Sequence, residues 1–188
     1  MVTLAQLWLP ILLGAVGAFV ASSILHMLLQ FWHRPDYHGF PNEDEVRAAI
    51  GKGKAAPGLY ILPWCPPETM KDPASIAKLT EGPVGFMVLR AAGMPNMGKM
   101  LGLWFGFCLL VAIFAGYLAG ATLPAGAMPG QVFRIAATSA FMAFSFGVLP
   151  QAVWWGYPLR AAMKDMIDGL IYAAIEGLVL AYMWPHAA

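Results

Sequence analysis

Four long apolar runs alternate with more polar stretches along this chain. The first run covers residues 8–32 and contains no Asp, Glu, Lys or Arg. At about 1.5 Å per residue it is long enough to cross the roughly 30 Å hydrocarbon layer of a bilayer. It is too long for a signal peptide and has no basic segment before it, so we expect a retained anchor. The other three runs cover residues 100–120, 131–154 and 161–184.

The stretch from His33 to Lys99 is polar, and its pattern predicts a small α/β module. The predicted order is a helix (residues 43–50), a strand (58–64), a helix (opened by Asp72-Pro73 and closed by Gly82-Pro83) and a strand (84–90). The second helix is long enough to return the chain for parallel pairing of the strands, and a hairpin-like arrangement is the alternative.

These patterns together predict an all-α membrane protein, a four-transmembrane-helix bundle with a small α/β cytosolic insert between the first and second spans. The predicted parts are an N-terminal transmembrane helix (residues 1–32), the insert (33–99) and a three-helix transmembrane region (100–188).

Composition supports a membrane environment. The 188 residues are 60% hydrophobic and 11% charged, with a mean hydropathy of +0.65, whereas soluble domains have about 25% charged residues. The chain has too few polar groups to cover its own surface, so the bilayer must be part of its solvent. A net charge of +1 argues against a nucleic-acid partner.

The distribution of positive charge predicts the orientation. Eight of the 11 Lys and Arg residues lie in the polar stretch: Arg34, Arg47, Lys52, Lys54, Lys71, Lys78, Arg90 and Lys99. Arg160 and Lys164 flank the third loop, the second loop has no charge, and Arg134 is the one positive residue near the other face. In membrane proteins, Lys and Arg concentrate in the short loops that lie on the cytosolic side of the membrane. We therefore expect an inner (plasma) membrane protein with residues 33–99 cytosolic and both termini outside.

Small residues recur every four positions on three spans, which places them along one face of each helix. They are Gly14, Ala18 and Ser22; Gly102 and Gly106, with Gly116 extending the pattern further along the same span; and Gly169, Ala173 and Gly177. In lipid such faces let helices approach closely. The predicted partners are the bilayer and either further copies of this chain or other membrane subunits.

Ionisable and polar residues within the spans form a predicted intramembrane network: His26, Arg134, Asp165, Asp168, Tyr172 and Glu176. A charged side chain at the centre of a span costs about 2.5–3.5 kcal/mol on insertion scales, so such groups are usually paired. Similar depths predict an Arg134–Glu176 pair and a His26–Asp168 pair. The network is either a proton or ion path or a lock that holds the helices together and titrates little.

A weaker candidate is a metal site made of His33, Asp36, His38 and Cys65, whose imidazole, carboxylate and thiolate groups suit zinc. Their spacing matches no strong metal motif. The chain also has no haem-attachment or redox C-x-x-C pattern, and we predict no cofactor.

Three motifs carry a family resemblance: PDYHGFPNEDEV (35–46), MGKMLGLWF (97–105) and DGLIYA (168–173). With them the chain resembles a family of small bacterial inner-membrane proteins that share the four-span layout with a cytosolic insert. The resemblance implies no activity and adds no site residue.

The first functional hypothesis is a non-catalytic structural or accessory subunit that packs with itself or with a larger membrane complex. The alternative is a small transporter or proton-conducting protein that uses the acidic stripe of the fourth span. A third hypothesis is a metal- or lipid-dependent membrane enzyme.

Overall fold

The computed structural model describes residues 1–187, and most of them are helical. The helices are α1 (Trp8–Ser23), α2 (Gln30–His33), α3 (Glu43–Lys52), α4 (Pro73–Glu81), α5 (Met97–Thr122), α6 (Pro129–Ser145), α7 (Val148–Trp154) and α8 (Leu159–Tyr182), and the strands are β1 (Gly58–Leu62) and β2 (Gly85–Leu89). Two compact units are present. The helical unit comprises Met1–Tyr37, Asn96–Ala152 and the chain from Tyr157 onward, and the insert unit comprises His38–Pro95 with Val153–Gly156.

Four long helices form the helical unit. Around it, α1 packs against α5, α5 against α6, α6 against α8, and α8 against α1. Because this order follows the chain, each long helix packs beside its neighbour in sequence, and the contact between α8 and α1 completes the bundle. The core is built mainly from alanine and other small residues, such as Ala15, Ala112, Ala136 and Ala173, all of them buried.

Three helical segments are long and apolar enough to cross a membrane: Trp8–Leu28, Met97–Thr122 and Pro129–Trp154. Their outward faces carry large apolar side chains such as Val20, Phe114 and Met142. In water this surface would be unfavourable, since contiguous exposed apolar patches of this extent mark membrane or protein contacts. The helices are compatible with a membrane protein, as their composition predicts.

Close helix packing uses several of the predicted small residues. A Cβ placed on Gly177 of α8 would lie 2.7 Å from the Cβ of Ala137 on α6, and one placed on Gly169 would collide with Ser145. On α1, a Cβ at Gly14 would lie 3.4 Å from the Cα of Glu176. Glycine at positions 169 and 177 is therefore what allows α8 to approach α6, whereas the 3.4 Å at Gly14 is an ordinary contact distance.

Two predicted spans are interrupted. The first is not one helix over residues 8–32, because α1 continues as a π-helix over Ile24–Leu28 and ends at Leu29, where φ is −91° and ψ is 55°. The third is divided at Phe146 and Gly147 into α6 and α7. Pro150 lies just after this break, in the first turn of α7, where proline is tolerated.

Residues near the start and the end of the described chain meet the last turn of α5 and the loop that follows it. Val2 N donates a hydrogen bond to Gly120 O at 3.1 Å. Gly126 N donates to Pro185 O at 2.8 Å, and Trp184 Nε1 donates to Pro124 O at 2.9 Å. This end of the bundle, which we call the terminal end, holds the uncharged loop and both chain ends on one side.

The insert unit follows the predicted order of helix, strand, helix and strand. Strands β1 and β2 pair antiparallel, with Gly58 opposite Leu89 and Leu62 opposite Gly85. The hairpin-like alternative is therefore correct and parallel pairing is wrong, with α4 lying within the connection. Within this unit the ring of Phe86 on β2 lies 5.0 Å from the ring of Trp155.

Candidate functional site

A cluster of polar side chains lies at the end of the helical unit opposite the terminal end. Its base is α8, where Lys164 and Asp168 are one turn apart and therefore share a face. Both are buried, with 7% and 2% of their surface exposed. A buried lysine and a buried aspartate require partners, since an unpaired buried charge is very costly. Those partners come from the segment that follows α1.

Lys164 is bound by two residues of that segment. Its Nζ donates to both carboxylate oxygens of Asp36, at 2.7 and 2.8 Å, and to the backbone oxygen of Trp32 at 2.6 Å. Three donors thus meet three acceptors. The Lys164 ammonium holds the pKa of Asp36 below its usual value of 3.8, against the opposing effect of burial.

The carboxylate of Asp168 is contacted by three side chains from the end of α1 and the segment that follows it. Its Oδ1 accepts a hydrogen bond from Trp32 Nε1 at 2.8 Å, and its Oδ2 lies 2.6 Å from His33 Nε2. His26 Nε2 lies 3.9 Å from the same Oδ2. The His26 and His33 rings stack with centroids 4.5 Å apart. The structure thus brings His26 and Asp168 together and adds His33 and Trp32 to them.

The π-helix and the break at Leu29 explain how this segment reaches α8. A π-turn contains one more residue than an α-turn and shifts the side chains that follow it. The Leu29 N–H donates to Ile24 O, which closes the wide turn around His26. The chain then restarts as the short helix α2 and a 3₁₀ turn over Arg34–Asp36. Such π-turns are frequent at functional sites.

Hydrogen bonds also fix the far side of His26. Its Nδ1 lies 3.1 Å from the backbone oxygen of Ser22, and because a carbonyl only accepts, Nδ1 carries the hydrogen. In a neutral ring Nε2, which faces Asp168, then holds the lone pair. The hydroxyl of Ser22 accepts from Trp104 Nε1 at 2.7 Å and so links α1 to α5.

A cavity of about 430 Å³ opens beside this cluster. Its polar lining comes from Ser22, Ser23, His26, Asp165, Asp168 and Tyr172, and aromatic and aliphatic side chains make the rest of the wall. A concave, mostly apolar space with a few converging polar groups is the usual form of a small-ligand site.

Two polar residues lie deeper on the same face of α8. Tyr172 is buried, and its hydroxyl has no hydrogen-bond partner among residues 1–187. Glu176, one turn further, is completely buried, and neither of its carboxylate oxygens is paired within the described chain. The predicted Arg134–Glu176 pair is therefore wrong. Arg134 lies on an exposed face of α6, between the buried Val132 and Ala136, and Glu176 faces α1 at Gly14.

Asp165 differs from the rest of the predicted stripe because it binds outside the bundle core. It accepts a hydrogen bond from the hydroxyl of Tyr157 at 2.9 Å. Burial first, and then this bond to a carboxylate, raise the pKa of Tyr157. The bond ties the start of α8 to the turn that precedes it.

The predicted metal set is divided by the fold. His33 and Asp36 belong to the helical unit, whereas His38 and Cys65 belong to the insert unit. Within the part of the chain that the structure describes, the group whose possible metal-binding atoms converge is His26, His33 and Asp168. Asp36 is instead held by Lys164.

Three residues of the site are absent from the predicted set: Trp32, Lys164 and Trp104. Lys164 and Asp168 are one turn apart at the start of an otherwise apolar run, which is a signal for a shared buried face. The indole nitrogens carry no such signal, because tryptophan near the end of a span is usually an interfacial anchor.

No protein-family model, curated protein or solved structure matches this chain. The resemblance carried by the three sequence motifs therefore stays a prediction, and functional arguments must come from the geometry of the chain itself.

Proposed function

We propose that the chain is an integral membrane protein with four spans, of which α8 is the fourth. This helix has 24 residues, enough for the hydrocarbon layer. Three of its five charged residues, Lys164, Asp168 and Glu176, are buried inside the bundle, while Leu170, Ile171 and Leu178 are exposed. Polar residues that face the interior and apolar residues that face outward are the arrangement expected of a polar span in lipid.

The proposed location is the inner membrane, with residues 33–99 cytosolic and both termini outside. The charge distribution supports this orientation, because ten of the 11 Lys and Arg residues lie in the sequence between the first and second spans or at the start of the fourth. The opposite, terminal end has no charged residue in its loop.

Cysteine labelling tests this topology. In a chain with Cys65→Ser and Cys108→Ala, a cysteine replaces either Lys52 in the insert or Met128 in the loop between α5 and α6. A membrane-impermeant maleimide applied to intact cells should label Met128→Cys. It should label Lys52→Cys only after the cells are permeabilised. The reverse pattern would overturn the orientation, and recovery of the chain as a soluble protein without detergent would overturn the membrane assignment.

For its role, we propose a non-catalytic structural or accessory subunit that packs with further copies of itself. The supporting observation is the open face of α5 at Gly102 and Gly106. Among residues 1–187 nothing lies within 4 Å of a Cβ built at either glycine. The exposed Leu103 and Leu110 border this face. In lipid, a GxxxG face left open within one chain is suited to a helix of a second copy.

Substitution of the two glycines tests self-packing. Gly102→Ile and Gly106→Ile should convert an oligomer into a monomer in gentle detergent, as measured by light scattering during size-exclusion chromatography. Leu118→Ile is the matched control, because this exposed residue of α5 lies about 120° or more around the helix from both glycines. A native chain that is monomeric, or an oligomer that survives both glycine substitutions, would contradict the proposal. Mass spectrometry of co-purifying proteins distinguishes self-packing from a larger complex.

A proton-conducting protein is the second candidate, and one specific observation favours it. Tyr172 and Glu176 continue inward from the cavity on one face of α8, at spacings of about 6 Å per four residues. A group that locks helices together needs a hydrogen-bond partner. Neither the Tyr172 hydroxyl nor the Glu176 carboxylate has one within the described chain. This arrangement suits a site that takes up and releases a proton.

Proton flux into liposomes tests the second candidate. The purified chain should dissipate an imposed pH gradient faster than empty liposomes do, and Glu176→Gln should abolish the difference. Arg134→Gln is the control, because it removes a charge that lies on the exposed face of α6. Absence of flux in the native chain, or equal flux in the Glu176→Gln variant, would exclude this function.

A further inference from the structure

We propose that His26, His33 and Asp168 bind a divalent first-row transition-metal ion such as Zn²⁺. The proposal is independent of self-packing and of proton conduction. It starts from convergence: each residue offers one ligand atom, and these three atoms all lie within 4.8 Å of one another. Two imidazoles and one carboxylate are a common ligand set for zinc and for non-haem iron(II).

The distances are close to those that a metal requires. With metal–ligand bonds of about 2.0–2.1 Å, tetrahedral ligand atoms lie about 3.3 Å apart. The observed distances to Asp168 Oδ2 are 2.6 Å from His33 Nε2 and 3.9 Å from His26 Nε2. These two distances lie on either side of the required value, and because the three ligand atoms all lie within 4.8 Å of one another, the ligands must draw together by up to about 1.5 Å. The ion would replace the proton that His33 and Asp168 share.

Hydrogen bonds already hold the far side of two of the three ligands, and Asp36 lies near the third without bonding to it, which is the strongest argument for a built site. His26 Nδ1 donates to the backbone oxygen of Ser22, which leaves Nε2 available in the neutral ring. Asp168 Oδ1 accepts from Trp32 Nε1, which leaves Oδ2 available. His33 Nδ1 lies 3.7 Å from Asp36 Oδ2. Histidine ligands usually have such a carbonyl or carboxylate partner on the second ring nitrogen.

Charge balance also favours a cation here. Lys164 is the nearest positive residue in the cluster, and its ammonium is already compensated by both oxygens of Asp36. Asp168 is left with two imidazoles and an indole, none of which is a permanent cation. The carboxylate is 3% exposed and would gain the charge partner that its burial demands.

Three protein ligands leave one coordination position for water or a small ligand, which is the feature that separates catalytic from structural zinc sites. His26 and Asp168 both line the 430 Å³ cavity. The metal would therefore face a space with room for a molecule bound to it, and the apolar wall of that space would limit competing water.

Metal counting tests the site directly. The untagged full-length chain is purified in gentle detergent, treated with a chelator, dialysed against Zn²⁺ and analysed by inductively coupled plasma mass spectrometry. The expected content is one zinc per chain in the native protein, and a loss of at least tenfold in affinity in His26→Ala and Asp168→Asn. His26→Ala should fold, because half of that side chain is exposed and it has one hydrogen bond. Asp168→Asn keeps an oxygen acceptor for Trp32.

His38→Ala and His186→Ala are the matched controls, because they remove histidines outside the cluster and should retain the zinc. Cobalt gives a second readout, since Co²⁺ bound by these ligands should show visible absorption bands that His26→Ala abolishes. Asp36→Asn should weaken binding less than either ligand variant does, because the contact of Asp36 with His33 is longer than a hydrogen bond. Zinc content below 0.1 per chain in the native protein, or binding unchanged in both ligand variants, would overturn the proposal.

Discussion

Lys164 Nζ donates hydrogen bonds to both carboxylate oxygens of Asp36, at 2.7 and 2.8 Å, and so joins residues 128 positions apart. The two side chains are 9% and 10% exposed. This pair fastens the segment that follows α1 onto the first turns of α8. It thereby sets the position of His33, three residues before Asp36, relative to Asp168, one turn after Lys164.

The first prediction concerns this pair. Lys164→Met should lower the melting temperature of the chain clearly, because it leaves both the Asp36 carboxylate and the Trp32 backbone oxygen without their donor. Asp36→Asn should lower it less, because the amide oxygen still accepts from Lys164. Thermal unfolding followed by circular dichroism in detergent checks both. Since the two residues interact, the double variant should lose less than the sum of the single losses. Additive losses would show that the pair is not coupled.

A second prediction concerns the buried polar groups of α8 that have no partner in the described chain. Tyr172→Phe removes a hydroxyl that makes no hydrogen bond and keeps the ring, which packs against Trp104 and Phe144. Burial of an unpaired polar group costs about 1–3 kcal/mol, so the free energy of unfolding should stay equal or rise. Glu176→Leu should raise it for the same reason. Denaturation in detergent measures both.

Tyr117→Phe is the control for that comparison, because this tyrosine is 54% exposed on α5 and its substitution should have no effect. A marked loss of stability in Tyr172→Phe would mean that its hydroxyl is hydrogen-bonded in the membrane. The interpretation of Tyr172 and Glu176 as functional groups would then lose its main support.

The third prediction concerns glycine in the contact between α6 and α8. Gly177→Ala should destabilise the bundle by about 1–3 kcal/mol, because the added methyl would meet Ala137 Cβ at 2.7 Å and its backbone nitrogen at 3.1 Å. Backbone atoms of a packed helix cannot move aside as the end of a flexible side chain can. Gly130→Ala on α6 is the matched control. Its Cβ would meet nothing within 4 Å, so it should be neutral or slightly stabilising. Equal stability of both variants would refute tight packing at Gly177.

Hydrophobic periodicity was sufficient to predict the helices because each signal is local. Three apolar helices and both short strands lie close to their predicted positions, and the side chain of Asn96 accepts from Lys99 N at the start of α5, as a capping residue does. The break at Leu29 was not predictable in this way. Leucine is a good helix former, so the sequence gives no sign of a break at this position. The π-turn before it is stabilised by the contacts of His26, Trp32 and His33 with Asp168 on α8.

The same reasoning separates the two predicted ion pairs. His26 and Asp168 approach each other near one end of the bundle, where Asp168 is buried on the inward face of α8 and His26 lies half exposed beside it. Depth along the helix correctly suggested that contact, but depth alone was insufficient for Arg134 and Glu176. Those two residues differ in rotation: Arg134 is exposed on α6, and Glu176 faces α1. The rotation of a helix about its axis depends on which of its faces pack against other helices. When most sides of a helix are apolar, its sequence does not show which face that is.

The last prediction concerns the hydrogen bond that joins α1 to α5 beside the cavity. Trp104 Nε1 donates to Ser22 Oγ at 2.7 Å, and Ser22 Oγ in turn donates to Phe19 O at 2.7 Å. Ser22→Ala removes the acceptor and leaves the indole N–H unpaired, which should reduce the free energy of unfolding by about 1 kcal/mol. In a Trp104→Phe background the donor is already absent, so the same Ser22→Ala substitution should cost much less. Denaturation midpoints of the four proteins complete a double-mutant cycle. A loss of equal size in both backgrounds would mean that Ser22 stabilises the bundle through the packing of α1 alone, and that the Trp104 indole contributes no hydrogen bond to the wall of the cavity.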